Sequence, residues 1–116
     1  MKRLAIAVEK GKIATHYAHA ETYDVYQLDQ DKYHFEKKII HDKKNHEQSY
    51  DDLLQNGVEV IAFDMIGEHG FEHLLGRGID VYYGQKGDIE TFLEAFNKGQ
   101  IKKPKVYIED QSVCAL

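Results

Sequence analysis

Cysteine is almost absent from this chain of 116 residues, since Cys114 is the only one. A single thiol excludes an internal disulfide, and it excludes the Cys-x-x-Cys pairs of zinc and redox sites. Histidine and carboxylate side chains must therefore supply most of any metal site. We interpret Cys114 as an incidental thiol.

Long apolar runs and basic stripes are also lacking. No apolar run approaches the roughly 20 residues that span a bilayer, and the chain starts directly with a strand pattern instead of a signal peptide. We therefore expect a cytoplasmic protein without a membrane partner. The formal net charge is −5 and the lysines are scattered, so no nucleic acid is expected as a partner. The composition predicts one globular domain over 1–116, with 100–116 as a C-terminal tail.

Apolar segments predict the element order β-β-β-α-β-α-β-α. The first strand, Lys2 to Glu9, is apolar on both faces, as in a strand covered on both sides. Two aromatic-rich segments follow as a hairpin, and a nearly continuous run from Val58 to Phe63 predicts a buried parallel strand. Apolar residues at helical spacing predict three helices, on Tyr50, Leu53 and Leu54, on Phe71, Leu74 and Leu75, and on Ile89, Phe92, Leu93 and Phe96. Asp88 is expected to cap the last helix, and Val106 to Ile108 suggests a short edge strand.

This order predicts a mixed sheet with helices on both faces, in which the first strand lies beside the buried parallel strand. Crevices in such sheets form at the carboxyl ends of strands where the connections diverge. Those ends carry the loops from Glu9 to Glu21 and from Asp64 to Gly70. We therefore expect the two loops to be neighbours.

Both loops contain histidine. His16 and His19 lie three residues apart in a short polar connection, and His69 and His73 have the i, i+4 spacing of a metal pair on a helix. Neutral imidazole suits iron, zinc, copper and nickel, so His16, His19 and His69 are candidate ligands of an open three-ligand site. His73 is interpreted as a solvated side chain opposite the apolar stripe.

Two glycines flank the second histidine loop. Gly67 and Gly70 would let backbone N–H groups approach an anion at a helix N-terminus, which suits a phosphate, a carboxylate or an anionic cluster. A strand-to-helix turn also needs glycine for geometric reasons alone. Both readings stay open at this point.

The segment from His16 to Tyr26, HYAHAETYDVY, resembles the His-Phe-Gly-x-Ala-x-x-Phe-x-Val-Tyr signature of the dinitrogenase iron–molybdenum cofactor biosynthesis family, the NifX and NifB C-terminal domain type. The Gly67–Gly70 turn and the segment from Leu74 to Val81 agree with that family's pattern. His16 stands at the signature histidine. Tyr17 replaces the usual Phe and Ala18 the usual Gly, which predicts a differently shaped loop.

The resemblance implies a ribonuclease H-like fold, three layers α/β/α with a mixed five-stranded sheet. It also implies a non-catalytic binding or carrier protein for an iron–sulfur or iron–molybdenum cofactor precursor, or a related small anionic or metal ligand. The site would comprise His16, His19, Gly67, His69 and Gly70, and cofactor-assembly proteins would be its partners.

Two alternatives stay open. The chain would be a regulatory or scaffold module if its tail strand paired with another subunit. It would be a metal-dependent nuclease if Glu9 and Asp64, at the ends of the first and fourth strands, bound catalytic metals. The nuclease is disfavoured because only two carboxylates and no basic channel are evident. The sequence also lacks a Gly-x-Ser-x-Gly or Walker motif, so an enzyme is not expected.

Overall fold

The computed structural model describes residues 2–30, 32–41, 46–65 and 68–101. Side chains are described for these residues except at positions 18, 46, 47, 68 and 69, which lie in helices. The predicted tail strand at 106–108 and Cys114 lie outside the described residues. The predictions for them therefore stay predictions.

The described elements are six strands, one short 3-10 helix and three α-helices. In chain order they are β1 Lys2–Glu9, β2 Lys12–Ile13, the 3-10 helix Tyr17–His19, β3 Thr22–Asp29, β4 Lys32–Ile40, α1 His46–Gln55, β5 Val60–Ala62, α2 Glu68–Gly76, β6 Asp80–Tyr82 and α3 Ile89–Asn97. The predicted element order is confirmed, with β2 and the 3-10 helix as additions. Because β2 joins the sheet, the sheet has six strands, and the expectation of a five-stranded sheet is wrong by this short strand. Within the described residues, no helix is long and apolar enough to cross a membrane.

The sheet is mixed, and β1 lies at its centre. The strand order is β4-β3-β1-β5-β6, with β2 paired to β1 off this path. β1 is antiparallel to β3 and parallel to β5, so that Leu4 lies beside Tyr26 on one side and Val60 on the other. The predicted neighbourhood of the first strand and the buried parallel strand is therefore confirmed.

The turn between β1 and β2 has only two residues. Lys10 and Gly11 both have positive φ, 54° and 78°, as a type I′ hairpin requires. The tight turn directs the chain back along β1 before it reaches the His16–Ala20 loop. Because β2 has only two residues, that loop still starts near the carboxyl end of β1.

Helices cover both faces of the sheet, as predicted. One buried cluster contains Tyr23, Phe63 and Leu74 and packs under α1 and α2, and the other contains Leu4 and Phe92 and packs under α3. This arrangement explains why β1 is apolar on both faces: alternate side chains enter opposite clusters.

The predicted apolar stripes of α1 and α2 are too wide by one leucine each. Leu53 and Leu74 are fully buried, whereas Leu54 is 46% exposed and Leu75 is 45% exposed. Consecutive residues of an α-helix point about 100° apart, so the second leucine of each Leu-Leu pair lies at the edge of the buried stripe and is partly exposed to solvent.

Candidate functional site

The two crevice loops meet, as the topology predicts. His16 forms an isolated parallel bridge with Met65, the residue after Asp64. The N–H of Tyr17 donates to the Met65 carbonyl at 2.7 Å, and the N–H of Met65 donates to the Thr15 carbonyl at 3.2 Å. Backbone hydrogen bonds thus hold the two loops side by side at the carboxyl ends of β1 and β5.

The loop that carries His16 and His19 is a turn of 3-10 helix. The N–H of His19 donates to the His16 carbonyl at 2.9 Å, and that of Ala20 donates to the Tyr17 carbonyl at 3.3 Å. Tyr17 and Ala20 are buried, while His16 is half-buried and His19 exposed. This right-handed turn suits Ala18, because it does not require the positive φ that glycine would allow.

The turn brings its two imidazoles together. The ring centroids of His16 and His19 are 5.2 Å apart, and the ring planes are tilted by 40°. Two imidazoles bound to one tetrahedral metal, with nitrogen–metal distances of about 2.0–2.1 Å, have ring centroids roughly 5 Å apart. The observed spacing therefore fits a shared metal ion.

The second histidine loop is described only in part. Gly67 lies outside the described residues. His69 and Gly70 belong to the first turn of α2, and the His69 side chain is outside the description. The expectation that Gly70 lies in a turn before the helix is wrong, because α2 already begins at Glu68. The first N–H groups of a helix lack intrahelical acceptors, so Gly70 still lies where backbone donors are available.

Two carboxylates lie at the same end of the sheet. Thr15 Oγ1 donates to Glu9 Oε1 at 3.2 Å. Burial raises the pKa of Asp64, and the positive charge of Lys86 opposes that rise. Among the side chains that the structure describes, no group of three or more His, Cys, Asp or Glu residues is placed to hold a metal ion. A third ligand beside His16 and His19 is therefore not among them.

The interpretation of His73 as a solvated side chain is wrong. Its ring is half-buried and stacks on Tyr50 of α1, with centroids 5.5 Å apart and planes 16° apart. Nη1 of Arg77 lies 3.4 Å from Nδ1 of His73, and Nε of Arg77 donates to Asp51 Oδ1 at 3.1 Å. His73 faces the neighbouring helix because α1 and α2 lie side by side on the sheet.

An aromatic cluster beneath the turn was not predicted from the sequence. Tyr17 stacks on Tyr23 and on Tyr50, with ring centroids 5.4 and 5.5 Å away. His41 is buried beside them, and its Nδ1 donates to the Ala20 carbonyl at 2.7 Å. His41 thus fixes the end of the His16–Ala20 loop. No local pattern indicates these contacts, since they join distant parts of the chain.

Comparison with known families identifies the chain. A family model for the dinitrogenase iron-molybdenum cofactor matches residues 1–99. The chain belongs to the dinitrogenase iron-molybdenum cofactor family. This confirms the resemblance carried by the segment from His16 to Tyr26. No curated protein sequence matches this family member significantly.

Solved structures support the fold of this family member. A dinitrogenase-type protein of Methanocaldococcus jannaschii has a TM-score of 0.76 at 18% identity, over 90% of this chain and 96% of its own. The apo form of the orange protein of Desulfovibrio gigas has a TM-score of 0.73 at 19% identity, over 90% of this chain and 94% of its own. A NifB-type protein of Thermotoga has a TM-score of 0.68 at 22% identity, over 93% of this chain and 97% of its own.

Proposed function

We propose that this protein binds and carries a metal ion or a small anionic metal cluster, an iron–sulfur or iron–molybdenum cofactor precursor, without catalysing a reaction. The observation that supports this most is the pair of imidazoles of His16 and His19, whose ring centroids are 5.2 Å apart. They lie on a turn whose backbone is fixed to the second crevice loop through Met65. A bound metal would meet two neighbouring imidazoles there.

The remaining groups of the proposed site come from α2 and from the loop before it. His69 would be the third ligand, and the amides of Gly67 and Gly70 would neutralise negative charge of the cargo. α2 has nine residues, enough for a helix dipole that favours an anion at its N-terminus. The imidazoles would ligate directly, and the backbone amides would compensate charge.

The family name supports the class of cargo. It refers to the iron–molybdenum cofactor of dinitrogenase, and the Thermotoga neighbour is a NifB-type protein. We propose cofactor-assembly proteins as partners and the cytoplasm as the location. We also propose that residues 1–116 act as one domain of ribonuclease H-like type. The strand order β4-β3-β1-β5-β6, antiparallel on one side of β1 and parallel on the other, supports that type.

Anaerobic thermal unfolding tests the proposed site. The unfolding midpoint is measured with and without iron, zinc, nickel and an iron–sulfur precursor, for the natural chain and for His16→Ala, His19→Ala and His69→Ala. A ligand at one hundred times its dissociation constant stabilises the folded state by about 2.7 kcal/mol. We expect an increased midpoint with one cargo, and we expect the increase to disappear in each variant.

His34→Ala is the matched control, because His34 is an exposed histidine of β4, the edge strand separated from β5 by β3 and β1. Loss of the shift in this variant as well would indicate nonspecific binding to surface imidazole. If all three site variants kept the full shift, the assignment of His16, His19 and His69 as ligands would be wrong. If no cargo changed the midpoint of the natural chain, the carrier proposal would fail and the scaffold alternative would gain support.

A further inference from the structure

The 3-10 turn between β2 and β3 is held at both ends by hydrogen bonds to other elements. At its first end, the N–H of Tyr17 donates to the Met65 carbonyl at 2.7 Å, which joins the turn to the loop after β5. At its second end, Nδ1 of His41 donates to the Ala20 carbonyl at 2.7 Å, which joins the turn to the end of β4. Each anchored residue directly follows one of the two candidate imidazole ligands.

The internal hydrogen bonds of the turn are weaker at its second end. The N–H of His19 donates to the His16 carbonyl at 2.9 Å, but that of Ala20 donates to the Tyr17 carbonyl at 3.3 Å. A separation of 3.3 Å is longer than a usual N–H···O bond, whereas the 2.7 Å between His41 and Ala20 is within the usual range. The bond from His41 is therefore the shorter restraint on this end.

His41 is itself fixed by its surroundings. It is 5% exposed, and its backbone N–H donates to the Glu21 carbonyl at 3.1 Å. Its ring packs against the rings of Tyr23 and Tyr17, with centroids 5.0 and 5.9 Å away. A carbonyl oxygen can only accept, so Nδ1 of His41 carries the proton in its bond to the turn. A ring held from several sides can restrain the carbonyl to which it donates.

The Ala20 carbonyl depends on this donor. Ala20 is 0% exposed, so a carbonyl that lost its bond to His41 would have no access to solvent. A buried carbonyl without a donor is costly, and the turn would shift to find another. Because Ala20 follows His19 directly, such a shift would also move the imidazole of His19.

We propose that His41 sets the separation of the imidazoles of His16 and His19, and that it is thereby a positioning residue for the metal site. This inference rests on the proposed carrier function. His41 acts through the Ala20 carbonyl and does not touch the cargo. The Met65 contact holds the end of the turn at His16, and His41 holds the end at His19, so the centroid separation of 5.2 Å depends on both.

Two substitutions separate the hydrogen-bond donor of His41 from its ring. His41→Asn keeps an N–H donor close to the place of Nδ1 and removes the ring, whereas His41→Phe keeps a ring and removes the donor. Zinc is the probe, and calorimetric titration gives its dissociation constant. We expect His41→Phe to raise this constant about tenfold, the lower end of the effect of removing a partner that orients metal ligands. His41→Asn should restore most of the affinity.

Leu93→Ala is the control for stability, because Leu93 is a buried residue of α3 on the opposite face of the sheet. Its truncation destabilises the fold without touching the turn, so its zinc dissociation constant should equal that of the natural chain. A constant raised as much as in His41→Phe would show that lost stability alone explains the effect, and the proposal would be overturned.

Amide hydrogen exchange in metal-free protein tests the restraint without any cargo. The N–H groups of His19 and Ala20 report on opening of the turn, and that of Ile6 in β1 is the reference for the core. We expect His41→Phe to accelerate exchange at His19 and Ala20 about tenfold more than at Ile6, because only the turn loses its anchor. A purely structural role would accelerate all three alike.

Two further results would overturn the proposal: a His41→Phe variant that binds zinc as tightly as the natural chain, or a His41→Asn variant that binds no better than His41→Phe. If the natural chain itself bound no zinc, the carrier proposal would fail for this metal. The exchange rates would then still decide whether His41 holds the turn, so the two failures are distinguishable.

Discussion

The orientation of α1 and α2, which pack on the same face of the sheet, can be tested with neighbouring leucines. In α1 Leu53 is buried and Leu54 exposed, and in α2 Leu74 is buried and Leu75 exposed. Truncation to alanine removes about three methylene equivalents, worth about 0.8 kcal/mol each when buried. The cavity left behind adds to this loss, so we expect Leu53→Ala and Leu74→Ala each to cost about 3 kcal/mol. Leu54 and Leu75 keep roughly half of their surface buried and enclose no cavity when truncated, so they should cost only about 1 kcal/mol.

Urea unfolding of the four single variants measures these differences, with the natural chain as reference. For a domain of this size, about 3 kcal/mol corresponds to a decrease of roughly 12 °C in the thermal midpoint. The dependence of stability on urea concentration should not change, because the folded and unfolded states keep their exposed areas. If Leu75→Ala were as costly as Leu74→Ala, α2 would be rotated on the sheet. The packing of His73 on Tyr50 would then be wrong as well.

Three further predictions follow. Gly78→Ala should destabilise the chain by about 1–2 kcal/mol, because its φ of +78° is left-handed and costly for alanine. Gly57→Ala should cost about as much by the same urea assay, because its φ is +75° and the atom nearest the added Cβ, Nη1 of Arg3 at 2.9 Å, ends a flexible side chain that can shift; a clearly larger cost would mean that the ion pair with Glu36 holds Arg3 in place. Hydrogen bonds from Thr91 lower the pKa of Asp88 below its ordinary 3.8, so its stabilisation is complete above that pH and is lost as pH falls through the lower folded value. Asp88→Asn keeps a cap that does not titrate, so the free energy of unfolding of this variant should decline less in acid. A variant that loses stability with falling pH as steeply as the natural chain would contradict this.

Most of the fold could be predicted because its signals are local. The two-sided apolar pattern of β1 indicated a central strand, and the structure places it there. The position of Asp88 before an apolar helix predicts an N-cap, and its carboxylate accepts from the Thr91 N–H. Both features depend on periodicity or capping within a few residues, which the sequence displays directly.

The details that failed depend on packing between elements. The sequence pattern predicts too wide a stripe on α2 and a solvated His73, because it does not show that α1 lies beside α2. The stacking of Tyr17 on Tyr50 likewise joins residues that are distant in the chain. Helical periodicity defines which residues share a face, but the neighbouring element decides which part of that face is covered.

The neighbourhood of the two crevice loops could be predicted from the sequence, whereas the composition of the candidate site could not. The rule that crevices form at the carboxyl ends of strands located both loops, and the bridge between His16 and Met65 bears out that they are neighbours. The separation of the two imidazoles required the 3-10 turn, which the sequence did not indicate. The contribution of His69 and Gly67 stays a prediction.

The central position of β1 also has a consequence for the order in which the chain folds. β1, β3 and β4 form a meander whose contacts are short in sequence, whereas β1 meets β5 only through pairs such as Leu4 and Val60. Closing that long loop carries the larger entropic cost, so we expect the meander to form first and β5 to dock later. The second crevice loop, which follows β5, would then reach the turn of His16 and His19 late. A nascent chain could present the imidazoles, but it would complete the crevice around them only after β5 has docked.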